Sequence, residues 1–174
     1  MQNETDRLNA GNLFFRAHGD AAKRTETAEN GQHPYAIVIC CSDSRVIPEQ
    51  IFHAGIGDLF VIRVAGNVLD RHQLGSVEYA AAHLGCKLVV LLGHTQCGAV
   101  GAALAGEAEG YIADLVTEIR TAIGSECDPV LAAKRNVLHG TERLKRAFST
   151  HPKMQDVEIC GAMYDIRTGA VEWL

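Results

Sequence analysis

At 174 residues the chain is long enough to bury a core without staples, and 47% hydrophobic against 21% charged residues is the balance of a globular protein. A net charge of −5 argues against nucleic acid as a partner, which selects for concentrated positive charge. No apolar run approaches the roughly 18 residues of a membrane span, and the polar, acidic opening Met1–Arg7 does not read as a signal or transit peptide, so the expected compartment is the cytoplasm.

Residues 3–28 are polar with scattered apolar positions (Leu8, Leu13, Phe14, Ala17, Ala21) and predict one or two helices. This arm, residues 1–30, is weakly apolar and is expected to need a partner subunit to cover it. Tyr35–Cys41 is a continuous apolar run, the sign of a strand buried on both faces. Asp58–Val64 reads as a second strand. Ser76 is the expected N-cap of a helix through Leu84, closed by Gly85. Lys87–Gly93 is a third strand. Helices follow over 97–104, 112–123 and 129–148, the last with Pro129 at its first position. Val157–Tyr164 is a fourth strand, and Asp165–Gly169 turns the chain into a short last one at 170–174. The alternation predicts an α/β fold in a single domain, 1–174: a mostly parallel sheet of four strands plus a short C-terminal strand, flanked by helices.

Two segments stand just past buried strands, at the sheet edge where such folds bind ligands. One is Cys41-Ser42-Asp43-Ser44-Arg45; the other is Gly93-His94-Thr95-Gln96-Cys97-Gly98. Cys41, His94 and Cys97 offer two thiolates and an imidazole, the ligand set of a catalytic zinc site with one position left over. Cys97 falls near the start of a helix, where backbone N–H groups favour thiolate, and Gly98 leaves room for a small ligand beside the backbone. Asp43 and Arg45 form a natural ion pair, since an arginine fork fixes a carboxylate's orientation. Held so, Asp43 can orient a water in the fourth zinc position; the same carboxylate can instead ligate the metal and close the site. The Gly93–Gly98 spacing is shared with phosphate-binding loops, but Ala99-Val100 stand where Lys-Ser/Thr belong. Of six cysteines, Cys40, Cys86, Cys127 and Cys160 read as structural reduced thiols. Cys40 adjoins Cys41 and points to the opposite face of a strand, which makes it a poor fourth ligand.

The motifs, in their order, resemble the beta-class carbonic anhydrases over roughly residues 32–174. Besides the two segments above, the match includes Pro48-Glu49, Gly57–Val61, Arg63 with Ala65-Gly66-Asn67, Glu78-Tyr79-Ala80, and Tyr164-Asp165 with Thr168-Gly169. The resemblance implies one zinc ion (Zn2+) per chain on Cys41, His94 and Cys97, with the Asp43–Arg45 dyad beside it, and reversible hydration of CO2 to bicarbonate and a proton. It implies substrate contacts at Gln32, Phe60, Ala65 (more usually Val) and Tyr79, and a homodimer or higher homo-oligomer. Arg63 and Tyr164 match two members of a regulatory bicarbonate site whose third, a Trp, is Val38 here, which argues against that regulation. Two other functions fit the residues: hydrolysis of COS or CS2 at the same site, and a noncatalytic zinc or redox sensor, for which Asp43, Arg45 and Gln32 have no use.

Overall fold

The structure is a computed structural model that describes residues 3–106 and 108–174. The chain forms two compact units, Met1–Gln32 and His33–Leu174.

The N-terminal unit is a pair of helices, α1 (Glu4–His18) and α2 (Ala21–Asn30). Asn3 caps α1 in a reciprocal box: its side chain accepts from the Asp6 N–H at 2.8 Å, and Asp6 accepts from the Asn3 N–H. Asp20 caps α2 through the Lys23 N–H. The Arg24 guanidinium lies 4.9 Å from the centre of the Phe15 ring and ties the two helices together. Neither helix contains a buried residue, and Leu8, Leu13 and Phe14 stand exposed. This is the weakly apolar arm expected from the sequence.

The second unit is built on a five-stranded sheet of order β2-β1-β3-β4-β5, from β1 (Ala36–Cys40), β2 (Leu59–Arg63), β3 (Leu88–His94), β4 (Glu158–Tyr164) and β5 (Val171–Trp173). The first four are parallel; β5 returns antiparallel to β4. Every residue of β1 is buried, as its unbroken apolar run requires, whereas β2 at the sheet edge is only half-buried. Side chains alternate between two apolar layers. Ile37, Ile39, Val89 and Leu91 face the layer that also takes residues of α4 (Arg71–Leu84), α5 (Gly98–Ala105), α6 (Ile112–Ile123) and α7 (Pro129–Phe148). Val38, Cys40, Val90 and Leu92 face the other, with Val46 and with Ile51 of the one-turn helix α3 (Pro48–Ile51).

The expected helix start at Ser76 is corrected. α4 begins at Arg71 because Asp70 makes the stronger cap: it accepts from the N–H groups of His72 and Gln73, and the Gln73 side chain answers on the Asp70 N–H. Ser76 sits inside the helix with its hydroxyl turned back to the His72 carbonyl. Gly85 closes α4 in the left-handed conformation, as the sequence suggests. Cys97 is the N-cap of α5 rather than its first residue.

Helix α7 packs closely on the sheet, and glycines leave the room for it. A Cβ at Gly161 of β4 would lie 2.8 Å from Val137 and 3.1 Å from Thr141 of α7. A Cβ at Gly140 of α7 would run into the side chain of Leu91 on β3, and one at Gly93 into Val137. Gly140→Ala is therefore expected to destabilise the protein by about 1–3 kcal/mol through overpacking, despite the better helix propensity of alanine. Urea denaturation checks this as a lower midpoint at unchanged slope.

Candidate metal centre

The parallel register sets Cys40 beside Leu92. The strands end together, so Cys41 emerges next to the Gly93–His94 end of β3. Gln96 adopts a positive φ of 58° in the turn that follows, and the chain bends back so that Cys97 caps α5. One sulfur from the end of β1, an imidazole from the end of β3 and a second sulfur from the start of α5 converge. The ligand atoms of Cys41, His94 and Cys97 all lie within 4.8 Å of one another, and all three residues are buried.

The imidazole is oriented by its own neighbour. Nδ1 of His94 lies 2.9 Å from the Thr95 carbonyl, a partner that only an N–H can satisfy, so the proton belongs on Nδ1 and the lone pair on Nε2. His94 is completely buried, yet among the described residues Nε2 has no hydrogen-bond partner in place, only the neighbouring Cys41 sulfur. An orphaned buried acceptor beside two thiols is costly in a folded protein and is what a metal ligand looks like without its metal.

The sulfurs are electrostatically unequal. The hydrogen bond shared with Cys97 holds the Cys41 thiol well below its ordinary range, against the opposing effect of burial, and the N–H groups of Asp43 (3.4 Å) and Gly66 (3.3 Å) contribute in the same direction. That shared bond, with burial, pushes Cys97 up. Of the two sulfurs, Cys41 is thus the one favoured as thiolate. Burial opposes the charged form of His94, but its contact with the Cys41 sulfur outweighs this and raises its pKa. Cys40, one residue earlier and on the opposite layer, is pushed up by burial to about 12 and stays a neutral thiol.

Asp43 and Arg45 meet as the sequence suggests. Arg45 donates through Nε to Oδ1 at 2.9 Å and through Nη2 to Oδ2 at 2.7 Å, and its backbone N–H also reaches Oδ1 at 2.9 Å. The guanidinium holds the Asp43 carboxyl well below the usual carboxylate range. The same Nη2 reaches the Gln96 carbonyl at 3.2 Å, so Arg45 joins the two motifs across the mouth of the site.

Arg63 was legible only as a family match, and its use here comes from the structure. Its Nε donates to the Cys41 carbonyl at 3.2 Å and its Nη2 to the Asp43 carbonyl at 2.7 Å, which clamps the turn carrying both side chains. Tyr164 pairs with His94 in the β3–β4 register, and its carbonyl accepts from the Thr95 N–H. Phe60 and Tyr79 are neighbours, with ring centres 6.2 Å apart, and Tyr79 is half-exposed. Ala65 opens the tight turn that includes Gly66, while Gly98 is exposed at the first position of α5. Gln32 belongs to the N-terminal unit, not to the unit that carries these residues.

A family model described as carbonic anhydrase matches residues 36–171. The chain belongs to the beta-carbonic anhydrase family. Carbonic anhydrase 2 of Mycobacterium tuberculosis is 47% identical over 98 residues, 53% of this chain and 47% of that protein. A carbonic anhydrase of Candida albicans is 32% identical over 92% of this chain and 60% of its own length. Among solved structures, the beta-carbonic anhydrase CcaA superposes with a TM-score of 0.81 at 28% identity, covering 98% of this chain and 95% of that one. CafA of Aspergillus fumigatus gives 0.78 at 27% identity, over 98% and 88%. The chain spans about half the length of the first curated relatives it matches. Beta-carbonic anhydrases are zinc enzymes, and the buried Cys41–His94–Cys97 set, with Nε2 unpartnered, fits that ion.

Cys97 and His94 are both shifted toward their protonated forms, so metal uptake competes with protons at these two ligands. Zinc affinity is therefore expected to rise with pH through the neutral range. A weakly buffered titration near neutrality should release about one to two protons per ion. Cys97→Ser should lose more affinity than the roughly 10–100-fold that removing an outer hydrogen-bond partner costs, read by competition with a chromogenic chelator.

Proposed function

We propose that this protein is a zinc-dependent carbonate dehydratase that interconverts CO2 and water with bicarbonate and a proton. The observation that carries the reading is a buried set of two cysteine sulfurs and one imidazole beside an aspartate whose two oxygens are fixed by arginine. Cys41, His94 and Cys97 would hold the ion. When bound, zinc supplies the Lewis acidity that makes water a nucleophile near neutral pH. Asp43, kept ionised by Arg45, accepts a hydrogen bond from the attacking water and aims its lone pair at the carbon of CO2. Arg45 keeps that carboxylate in one orientation, and Arg63 keeps its backbone in place. Phe60, Ala65 and Tyr79 provide the apolar surface that receives CO2, with Gly98 leaving space at the α5 N-terminus; Gln32 is assigned to substrate binding on the family resemblance. The proton leaves to solvent or buffer.

The working form is a homodimer or larger assembly. The half-buried edge strand β2, the half-exposed Tyr79 and the uncovered apolar residues of α1 support this. Two related enzymes from Sordaria macrospora are described as tetrameric. No helix of the described residues is long and apolar enough to cross a membrane, and we assign the protein to the cytoplasm.

Stopped-flow CO2 hydration on the zinc-loaded protein tests this reading. Wild type is expected to be active, and Asp43→Asn to lose roughly 10–100-fold in kcat at unchanged zinc content. A fully loaded wild type without CO2 hydration at any pH across the neutral range sinks the proposal, and turnover of COS in its place transfers the site to that substrate. A catalytically silent protein that still binds zinc tightly is instead a sensor.

A further inference from the structure

Asn136 is a polar residue where the helix pattern asks for an apolar one. It is 5% exposed, on the face of α7 that also buries Ala132, Ala133 and Val137. A buried amide is costly unless it is bonded, and Asn136 Nδ2 donates to the Gly66 carbonyl at 2.8 Å. The two residues are 70 apart in sequence. Gly66 is also the residue whose N–H donates to the Cys41 sulfur. One glycine therefore has the metal-site sulfur on its amide side and a helix α7 side chain on its carbonyl side.

The turn needs that anchor. Gly66 has φ 69° and Asn67 φ 45°, two successive positive values in a turn where the Asn67 N–H reaches the Val64 carbonyl at 2.9 Å. Glycine has low barriers to leaving such a conformation. Its Cβ position is occupied: an added carbon would lie 2.7 Å from Ile119 and 3.0 Å from Ala99. Rotation about Gly66 would carry its N–H off the sulfur, and Asn136 resists that by holding the carbonyl.

We propose that Asn136 is a positioning residue for the metal centre: by fixing Gly66, it keeps a backbone N–H on the Cys41 thiolate and so sets how strongly that sulfur donates to the metal. This rests on the assignment of Cys41 as a metal ligand. An N–H bonded to a thiolate stabilises its lone pairs. Without the bond the sulfur is more electron-rich, and its charge-transfer transition to a metal moves to lower energy. Outer-shell partners of this kind typically matter 10–100-fold in metal affinity or activity.

The test uses the full-length protein loaded with Co2+. Asn136→Asp keeps the shape but sets a carboxylate against the Gly66 carbonyl; Asn136→Ser shortens the reach. Both are expected to shift the sulfur-to-cobalt band to lower energy and, because the Cys41 sulfur is no longer held in one position, to weaken Co2+ roughly 10-fold in chelator competition. Leu144→Ala, two turns further along α7 and fully buried, loosens the same helix and should leave the band in place. Wild type loaded with 113Cd supplies a reading that needs no variant: couplings through hydrogen bonds from cadmium to the Gly66 amide proton, and from Asn136 Nδ2 to the Gly66 carbonyl carbon. An unmoved band and affinity in folded Asn136 variants, the same shift in Leu144→Ala, or absence of either coupling overturns the proposal while leaving the metal site intact. A Co2+-loaded wild type with no sulfur-to-cobalt band overturns the ligand assignment and this proposal with it.

Discussion

The parallel pairing of β1 with β3 is the constraint on which the rest of the structure depends. Four of the largest fully buried side chains, Ile37, Ile39, Leu91 and Leu92, lie on these two strands, each stabilising the fold by about 1.5–3 kcal/mol through burial. Such a core does not slip. A one-residue change of register would send every one of those side chains to the wrong layer. The register that satisfies the core also brings Cys41 and His94, which are 53 positions apart in the chain (94 − 41), to one edge. Neither ligand contributes to choosing that register. The convergence of the ligands is thus set by hydrophobic packing and strand register.

Placing two sulfurs and a carboxylate together concentrates negative charge, and the structure meets it with donors drawn from separate elements. Cys41 takes N–H groups from its own turn and from the Gly66 turn. Cys97 takes those at the start of α5, from Ala99 and Val100. Asp43 takes the Arg45 fork, and Arg63 holds the backbone beneath both Cys41 and Asp43. Between the sulfurs themselves, Cys41 is favoured as thiolate and Cys97 as thiol, so charge does not accumulate equally on both. Cys40 shows the contrast. It has the same chemistry one residue earlier, but it faces the opposite layer, where burial dominates and the thiol stays neutral.

Much of this was legible in the sequence, and what was not has a common cause. Unbroken apolar runs identified the strands because parallel strands are covered on both faces. The three ligands and the Asp43–Arg45 pair showed themselves through local spacing. The start of α4 was misplaced because a serine inside the helix resembles a cap as well as the aspartate that is one. Arg63 and Asn136 act on backbone carbonyls tens of residues away, and a carbonyl carries no signature in a sequence. Gly140 carries no sign in the sequence of its role; only the distance to Leu91 shows it as the place where the helix meets the sheet. Contacts that follow from side-chain type and local period can be read directly, whereas those made to the main chain across the fold cannot.

The sequence left Asp43 with two possible partners, arginine or metal, and the observed bonding weighs on one side. Both carboxylate oxygens are engaged by Arg45, and Oδ1 also accepts the Arg45 N–H. These are charge-assisted bonds, worth about 1.5–3 kcal/mol each. Moving the carboxylate onto the ion would break at least one of them and would detach Arg45 from the bridge it makes to Gln96. It would also bring a third anion to an ion whose charge two thiolates already balance. Closure onto an ion would therefore cost hydrogen bonds and add charge, and in this structure Asp43 is engaged by Arg45. An aspartate so held keeps its lone pairs pointed in fixed directions, which is what the proposed role of hydrogen-bond acceptor beside a bound ion would use.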